Sequence, residues 1–234
     1  MDPILFYGVP AGCSFGAIVA LEWSGRPYRL CRIEMPAVVA SPAYRRFNPL
    51  GETPTFLSDT GEVFSQSLAI LQHIARSSSD PRMGPGPATP DFDRLIESLS
   101  FLHTSLFSAF SPLWQAFEGA EEGEKEVLRA IGRRRVRKAF DQLARLLGGR
   151  TWLVGDGPTV ADAYFMAIVR WNDFHKVLDP ADHPTLEALR ARLEREPAVQ
   201  FALAVEHGQE ARSSGQFRGH VALAEASRGA RLAA

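Results

Sequence analysis

Cys13 and Ser14 follow the turn GVPAG and lead directly into the apolar run FGAIVAL. A thiol or hydroxyl at the mouth of a helix meets unpaired N–H groups and the positive end of the helix dipole. Both favour a thiolate and lower its pKa. Position 16 is Gly rather than Cys, so this thiol has no neighbour with which to close a thioredoxin-type disulfide. It is left to bond, or to donate to, one external thiol. The plainer alternative is a small buried residue that caps a helix. The other cysteine, Cys31, falls inside a strand pattern and reads as core.

Two further stretches offer backbone chemistry. In GETPTFL, Pro54 enters a strand after a turn, which makes Thr53-Pro54 a candidate cis peptide. That geometry would leave the N–H and C=O of Thr53 at a strand end, open to pairing with an extended peptide. An ordinary trans turn proline is the alternative. In FSQSLAI, Gln66 and Ser67 stand where a helix begins. Free N–H groups and a hydroxyl there suit a carboxylate, although a simple Ser cap also accounts for Ser67. A third feature is apolar. His103, Phe107, Phe110 and Trp114 recur at spacings of four, three and four, beside a leucine stripe at Leu95, Leu99, Leu102, Leu106 and Leu113. A second stripe must be covered by another domain, a second subunit or an apolar ligand. His103 alone reads more simply as a packing histidine.

The elements that carry these residues follow from periodicity. PILFY reads as a buried strand, Ser14 to Trp23 as a helix stopped at Ser24-Gly25, and Tyr28 to Met35 as a second strand. A turn at Asp59 to Gly61 joins two more strands, and Gln66 to Ala75 has helical spacing. The segment SSSDPRMGPGPATP breaks the pattern. Beyond it no strand is evident. Helical patterns cover 91–117, with an interruption at Pro112, then 125–147, 162–171 and 185–194. Thr159 and Asp162 form a capping box before a helix that is apolar almost all round, a structural role with no catalytic weight. From Gly208 the chain turns small and polar, which predicts a loosely packed tail with a short helix near 221–226. The predicted organisation is an α/β domain at 1–79, a linker at 80–90, an all-helical domain at 91–207 and a tail at 208–234.

Composition removes several classes. A formal net charge of -1 over 234 residues gives no drive toward nucleic acid or anionic lipid. The basic run GRRRVRK at 132–138 follows Glu121, Glu122, Glu124 and Glu126 and reads as a solvated helix face. No run approaches the length of a membrane span, no secretory leader is evident, and no metal is expected. Two cysteines far apart suit a reducing compartment.

In this order, the stretches AGCS, NPLGETP, SQSLAI, TVADAYFMAIVRW and EREPAVQFAL resemble a glutathione transferase of the cytosolic type. The bacterial beta class, which carries a cysteine in a similar Gly/Ala-Cys-Ser turn, is nearest. The resemblance implies an α/β thioredoxin-like N-terminal domain followed by an all-α helical-bundle C-terminal domain. It implies glutathione as co-substrate, its cysteinyl part on Thr53 beside Pro54 and its γ-glutamyl end on Gln66 and Ser67. The catalytic candidates beside its sulfur are Cys13, Ser14 and Tyr7, or backbone amides alone. A small-molecule electrophile would lie against His103, Phe107, Phe110 and Trp114, with Trp171 and Phe174 behind them. A cytoplasmic homodimer serving detoxification is the expected form. This chain departs from the beta class in carrying Gln66 for Glu, and Phe107-Ser108 for a His-Lys pair. The thiol therefore lacks a polar partner unless His103, one turn earlier, supplies it. A thiol-disulfide or deglutathionylating enzyme using Cys13, and a non-catalytic binder of apolar ligands, are the alternative functions.

Overall fold

The computed structural model describes residues 1–227. Strand β1 (Ile4–Val9) is buried throughout and pairs in parallel with β2 (Pro27–Glu34) across helix α1 (Phe15–Trp23). Strands β3 (Thr55–Leu57) and β4 (Val63–Ser65) form the predicted hairpin, and β3 runs antiparallel to β1. The strand alternation of β1 divides two cores. Leu5, Tyr7 and Val9 join the larger core with α1 and helix α3 (Ser67–Ser77); Ile4 and Phe6 face Tyr44 and Phe47. Tyr44 lies on helix α2 (Pro42–Arg45), a short element that the sequence pattern does not reveal. Its hydroxyl bonds the Glu52 carbonyl and Thr55 Oγ1, both at 2.7 Å, which steadies the loop leading to Pro54.

The helical part begins with α4 (Pro90–Phe101), which runs into a π-helical stretch at Leu102–Phe107. Helix α5 (Ser111–Glu118) then starts afresh with Pro112 in its first turn, where the missing N–H is no loss. The interruption therefore lies earlier than Pro112. Helices α6 (Glu122–Leu147), α7 (Val160–Val169), α8 (Trp171–His175), α9 (Pro184–Leu193) and α10 (Pro197–Glu206) complete the bundle. Helix α7 is buried on every side, as its composition predicts. Its capping box forms as read: the Asp162 carboxylate accepts from Thr159 N at 2.9 Å and from Leu153 N at 3.0 Å.

The two parts meet where α1 crosses α7. A Cβ on Gly16 would stand 2.8 Å from the Ala163 carbonyl oxygen and 3.1 Å from Tyr164 Cα. Position 16 thus holds no second cysteine because the backbone of α7 occupies its space. Gly16→Ala should destabilise the protein by about 1–3 kcal/mol. The check is a lower urea midpoint at unchanged slope.

The C-terminal segment differs from expectation. Gln216–His220 forms strand β5, which adds in parallel to the open edge of β2 and gives the order β4-β3-β1-β2-β5. Helix α11 (Leu223–Ala226) follows where a short helix is predicted. The anchor is Glu22 of α1, whose buried carboxylate accepts from Ser213 Oγ at 2.6 Å, Ser214 N at 2.7 Å, Gly215 N at 2.9 Å and the Tyr28 hydroxyl. The polar residues of the tail are therefore ligands of a buried charge, not a solvated loop. The last part of the expected tail, 228–234, lies outside the described residues.

Candidate functional site

The loop before α1 is built by contacts from the helical part. Trp171 Nε1 donates to the Ala11 carbonyl at 2.9 Å, and Arg170 Nη2 donates to that of Gly12 at 3.1 Å. Val9-Pro10 is cis and Ala11 has a left-handed φ of 51°. Ser14 closes the loop from inside: it is 1% exposed and its Oγ accepts from Gly8 N at 3.0 Å. With Ser14 turned inward at the N-cap, Cys13 is left partly exposed.

Cys13 Sγ lies 3.6 Å from the carbonyl oxygen of Thr53, to which the thiol donates, and 3.5 Å from Ser67 Oγ, which donates to it. Thr53-Pro54 is cis, as the sequence suggests. Gln66 is exposed and has φ 76°, the left-handed region that a non-glycine residue enters only when its surroundings hold it there. Cys13, Thr53, Pro54, Gln66 and Ser67 therefore sit together, although they come from three separate segments. Arg170 completes the support. It forms a nearly buried ion pair with Glu206, with Nη2 to Oε1 at 2.9 Å, and its guanidinium stands 4.1 Å from the centre of the Phe15 ring. The sequence signal for Arg170 was a lone cation closing an otherwise apolar helix.

The electrostatics reverse one expectation. Burial pushes the Cys13 thiol above its ordinary pKa; the Ser67 hydrogen bond and the Arg170 charge oppose that without overturning it. Helix α1 begins at Phe15 with Ser14 as its cap, so Cys13 stands outside the cap and the dipole does not prevail over desolvation. Cys31 is core, as read, with burial pushing its thiol up to about 12.

Tyr7 is placed elsewhere. Its hydroxyl lies 3.3 Å from Nε2 of His220, on β5, rather than at Cys13. The C-terminal strand supplies a partner that no local pattern announces. His103 Nδ1 is 3.0 Å from the Tyr164 hydroxyl, and its ring is 5.7 Å from that of Phe107. The second aromatic stripe is covered in part by α8. Trp171 packs on Phe107 at 5.3 Å and on Phe110 and Trp114 at 5.5 Å, while Phe174 stacks on Trp114 at 5.4 Å. Phe110 is fully buried and belongs to the core, whereas Phe107 and Trp114 are half-buried. Phe117 and Phe174 extend the stripe into solvent. Among the described residues no group of three or more His, Cys, Asp or Glu is placed to hold a metal ion, and no helix is long and apolar enough to cross a membrane.

A mixed sheet with a single thiol at the head of its first helix, a cis-proline opposite, and a helical bundle packed over both defines a two-domain thioredoxin-like protein. Residues 12–77 match the family model of the glutathione S-transferase N-terminal domain, and 101–197 that of the C-terminal domain. The chain belongs to the glutathione S-transferase family. It is 30% identical over 203 residues to glutathione S-transferase GST-4.5 of Xanthomonas campestris pv. campestris, covering 86% of this chain and 97% of that one. It is 28% identical over 205 residues to GstA of Escherichia coli O157:H7, covering 86% and 98%. Among solved structures, a sphingomonad glutathione S-transferase complexed with glutathione superposes with a TM-score of 0.77 at 29% identity, over 87% and 98% of the two chains. A bacterial beta class enzyme of Sphingomonas chungbukensis gives 0.76 at 27% identity, over the same shares. Strand β5 lies beyond the matched C-terminal domain.

Proposed function

We propose that this enzyme binds glutathione and activates its thiol for attack on an apolar small-molecule electrophile. The observation that carries the reading is the Cys13 thiol held between the Thr53 carbonyl and the Ser67 hydroxyl. In this reading the Thr53 backbone pairs with the cysteinyl part of glutathione beside Pro54. Gln66 and Ser67, at the start of α3, hold the γ-glutamyl carboxylate with free N–H groups and a hydroxyl. The glutathione sulfur then lies beside Cys13. Because burial keeps Cys13 protonated, its S–H serves as a donor to the glutathione thiolate. Phe107 and Trp114, with Phe174, offer the electrophile an apolar wall. The domain division is 1–79 for glutathione, 80–90 as linker, 91–207 for the electrophile and 208–234 as the tail. The working form is a cytoplasmic homodimer engaged in detoxification.

Calorimetry tests this. Wild-type protein should bind glutathione at micromolar to millimolar affinity, and Ser67→Ala should weaken it about tenfold or more through loss of a charge-assisted hydrogen bond. Absence of binding by the wild type would remove glutathione from the site.

A further inference from the structure

The C-terminal strand builds a second cleft, of about 580 Å³, that shares no residue with the thiol site. Strands β1, β2 and β5 run parallel; Tyr7 pairs with Arg32, and Leu30 pairs with His220. Residues two apart on a strand share a face, so Tyr7, Arg32 and His220 stand together at the carboxyl ends of three parallel strands. Open parallel sheets take their ligands at such ends. Val205 of α10 and residues 208–210 and 221–223 supply the remaining walls.

Tyr7 is 1% exposed, and its hydroxyl lies 3.3 Å from His220 Nε2. Burial, and then the charge of Arg32, hold the His220 imidazole below its ordinary pKa, so it is neutral at pH 7. With its proton on Nε2, His220 donates to the Tyr7 oxygen and leaves the phenol proton for a ligand. Arg32 donates through Nε to Glu34 at 2.7 Å and through Nη1 to the carbonyls of Val205 and Glu206 at 3.2 and 3.1 Å. Its Nη2 meets no further acceptor among the described residues except the neighbouring Tyr7 hydroxyl. Two donors therefore converge on one point. Glu210 lines the same cleft and has no ion-pair partner among the described residues. Arg32 is already balanced by Glu34, so Glu210 leaves the cleft with one excess negative charge. A simple anion is repelled by Glu210, and a simple cation leaves the Arg32 and Tyr7 donors unused. A molecule carrying both charges satisfies both sets.

We propose that this cleft binds a zwitterionic amino acid with an apolar side chain. Its carboxylate accepts from Arg32 Nη2 and the Tyr7 hydroxyl, its ammonium pairs with Glu210, and its side chain lies over Val205, Val221 and Leu223. The proposal is independent of the glutathione reading, because none of these groups belongs to the thiol site.

Calorimetry on the full chain at pH 8 tests it with three probes that share one body. Phenylalanine carries both charges, 3-phenylpropanoate lacks the ammonium, and 2-phenylethylamine lacks the carboxylate. Phenylalanine should bind at millimolar affinity or tighter, and each single-charge analogue at least about tenfold more weakly. Glu210→Gln should reduce phenylalanine to the affinity of 3-phenylpropanoate without weakening 3-phenylpropanoate itself. Tyr7→Phe should weaken both carboxylates by a similar factor and leave 2-phenylethylamine unchanged. The proposal is overturned by a wild type that does not bind phenylalanine, or by a single-charge analogue that binds as well as phenylalanine. Phenylalanine affinity unchanged in Glu210→Gln also overturns it, because the amino acid then sits elsewhere. Glu210 is exposed, so its variant decides the matter if the buried Tyr7→Phe change prevents folding.

Discussion

Arg170→Ala is expected to destabilise the protein by about 3–5 kcal/mol, because it leaves a buried carboxylate without its partner. The Arg170 side chain is 11% exposed and that of Glu206 is 8% exposed, so solvent screens the pair little. Arg170 also donates to the Gly12 carbonyl and covers the Phe15 ring, which adds one backbone bond and one cation–π contact to the loss. The effect should reach function as well as stability, since Gly12 precedes Cys13. Urea unfolding of Arg170→Ala, Glu206→Gln and the double variant forms the check. The double variant should be more stable than the sum of the single losses implies, because removing both charges leaves neither stranded. Additive losses would mean that the two side chains act independently.

Asp162→Ala should have a comparable effect, about 3–5 kcal/mol, for a different reason. Asp162 is wholly buried and accepts from Leu153 N, Thr159 N and Thr159 Oγ1 at 3.0, 2.9 and 3.0 Å. Burial pushes its carboxyl up to about 6, with those donors opposing, so at neutral pH it is ionised and the bonds are charge-assisted. Alanine would orphan two buried N–H groups at the start of α7. The thermal midpoint should fall by roughly 10 °C. The pH dependence has a defined sign. A carboxyl whose pKa is higher folded than unfolded holds its proton more tightly when folded. Its ionisation therefore weakens the fold as pH rises from the unfolded value of 3.8 to about 6. Asp162→Asn, measured over that window, should lack this decline.

The amino-acid sequence by itself determined the elements whose signal is local. The alternation of β1, the turn at Asp59 to Gly61, the helical spacing of α3 and the capping box of α7 are each written within a few consecutive residues. So are the thiol at position 13, the proline after Thr53 and the Gln-Ser pair, and their order along the chain carries the family resemblance. Tertiary structure decided the rest, because each remaining question depends on a partner far away in sequence. Which of Cys13 and Ser14 stays partly exposed was decided by Gly8 N, which claims the Ser14 hydroxyl, and by Arg170 and Trp171, which hold the loop. Tyr7 was turned to another use by His220, and the polar tail became a strand edge because Glu22 binds it. The Cys13 thiol lies above its ordinary pKa because desolvation, a property of the assembled interior, outweighs the helix end beside it. Periodicity records which face of an element is apolar; it does not record which distant group will meet that face, and the chemistry of this site is set by those meetings.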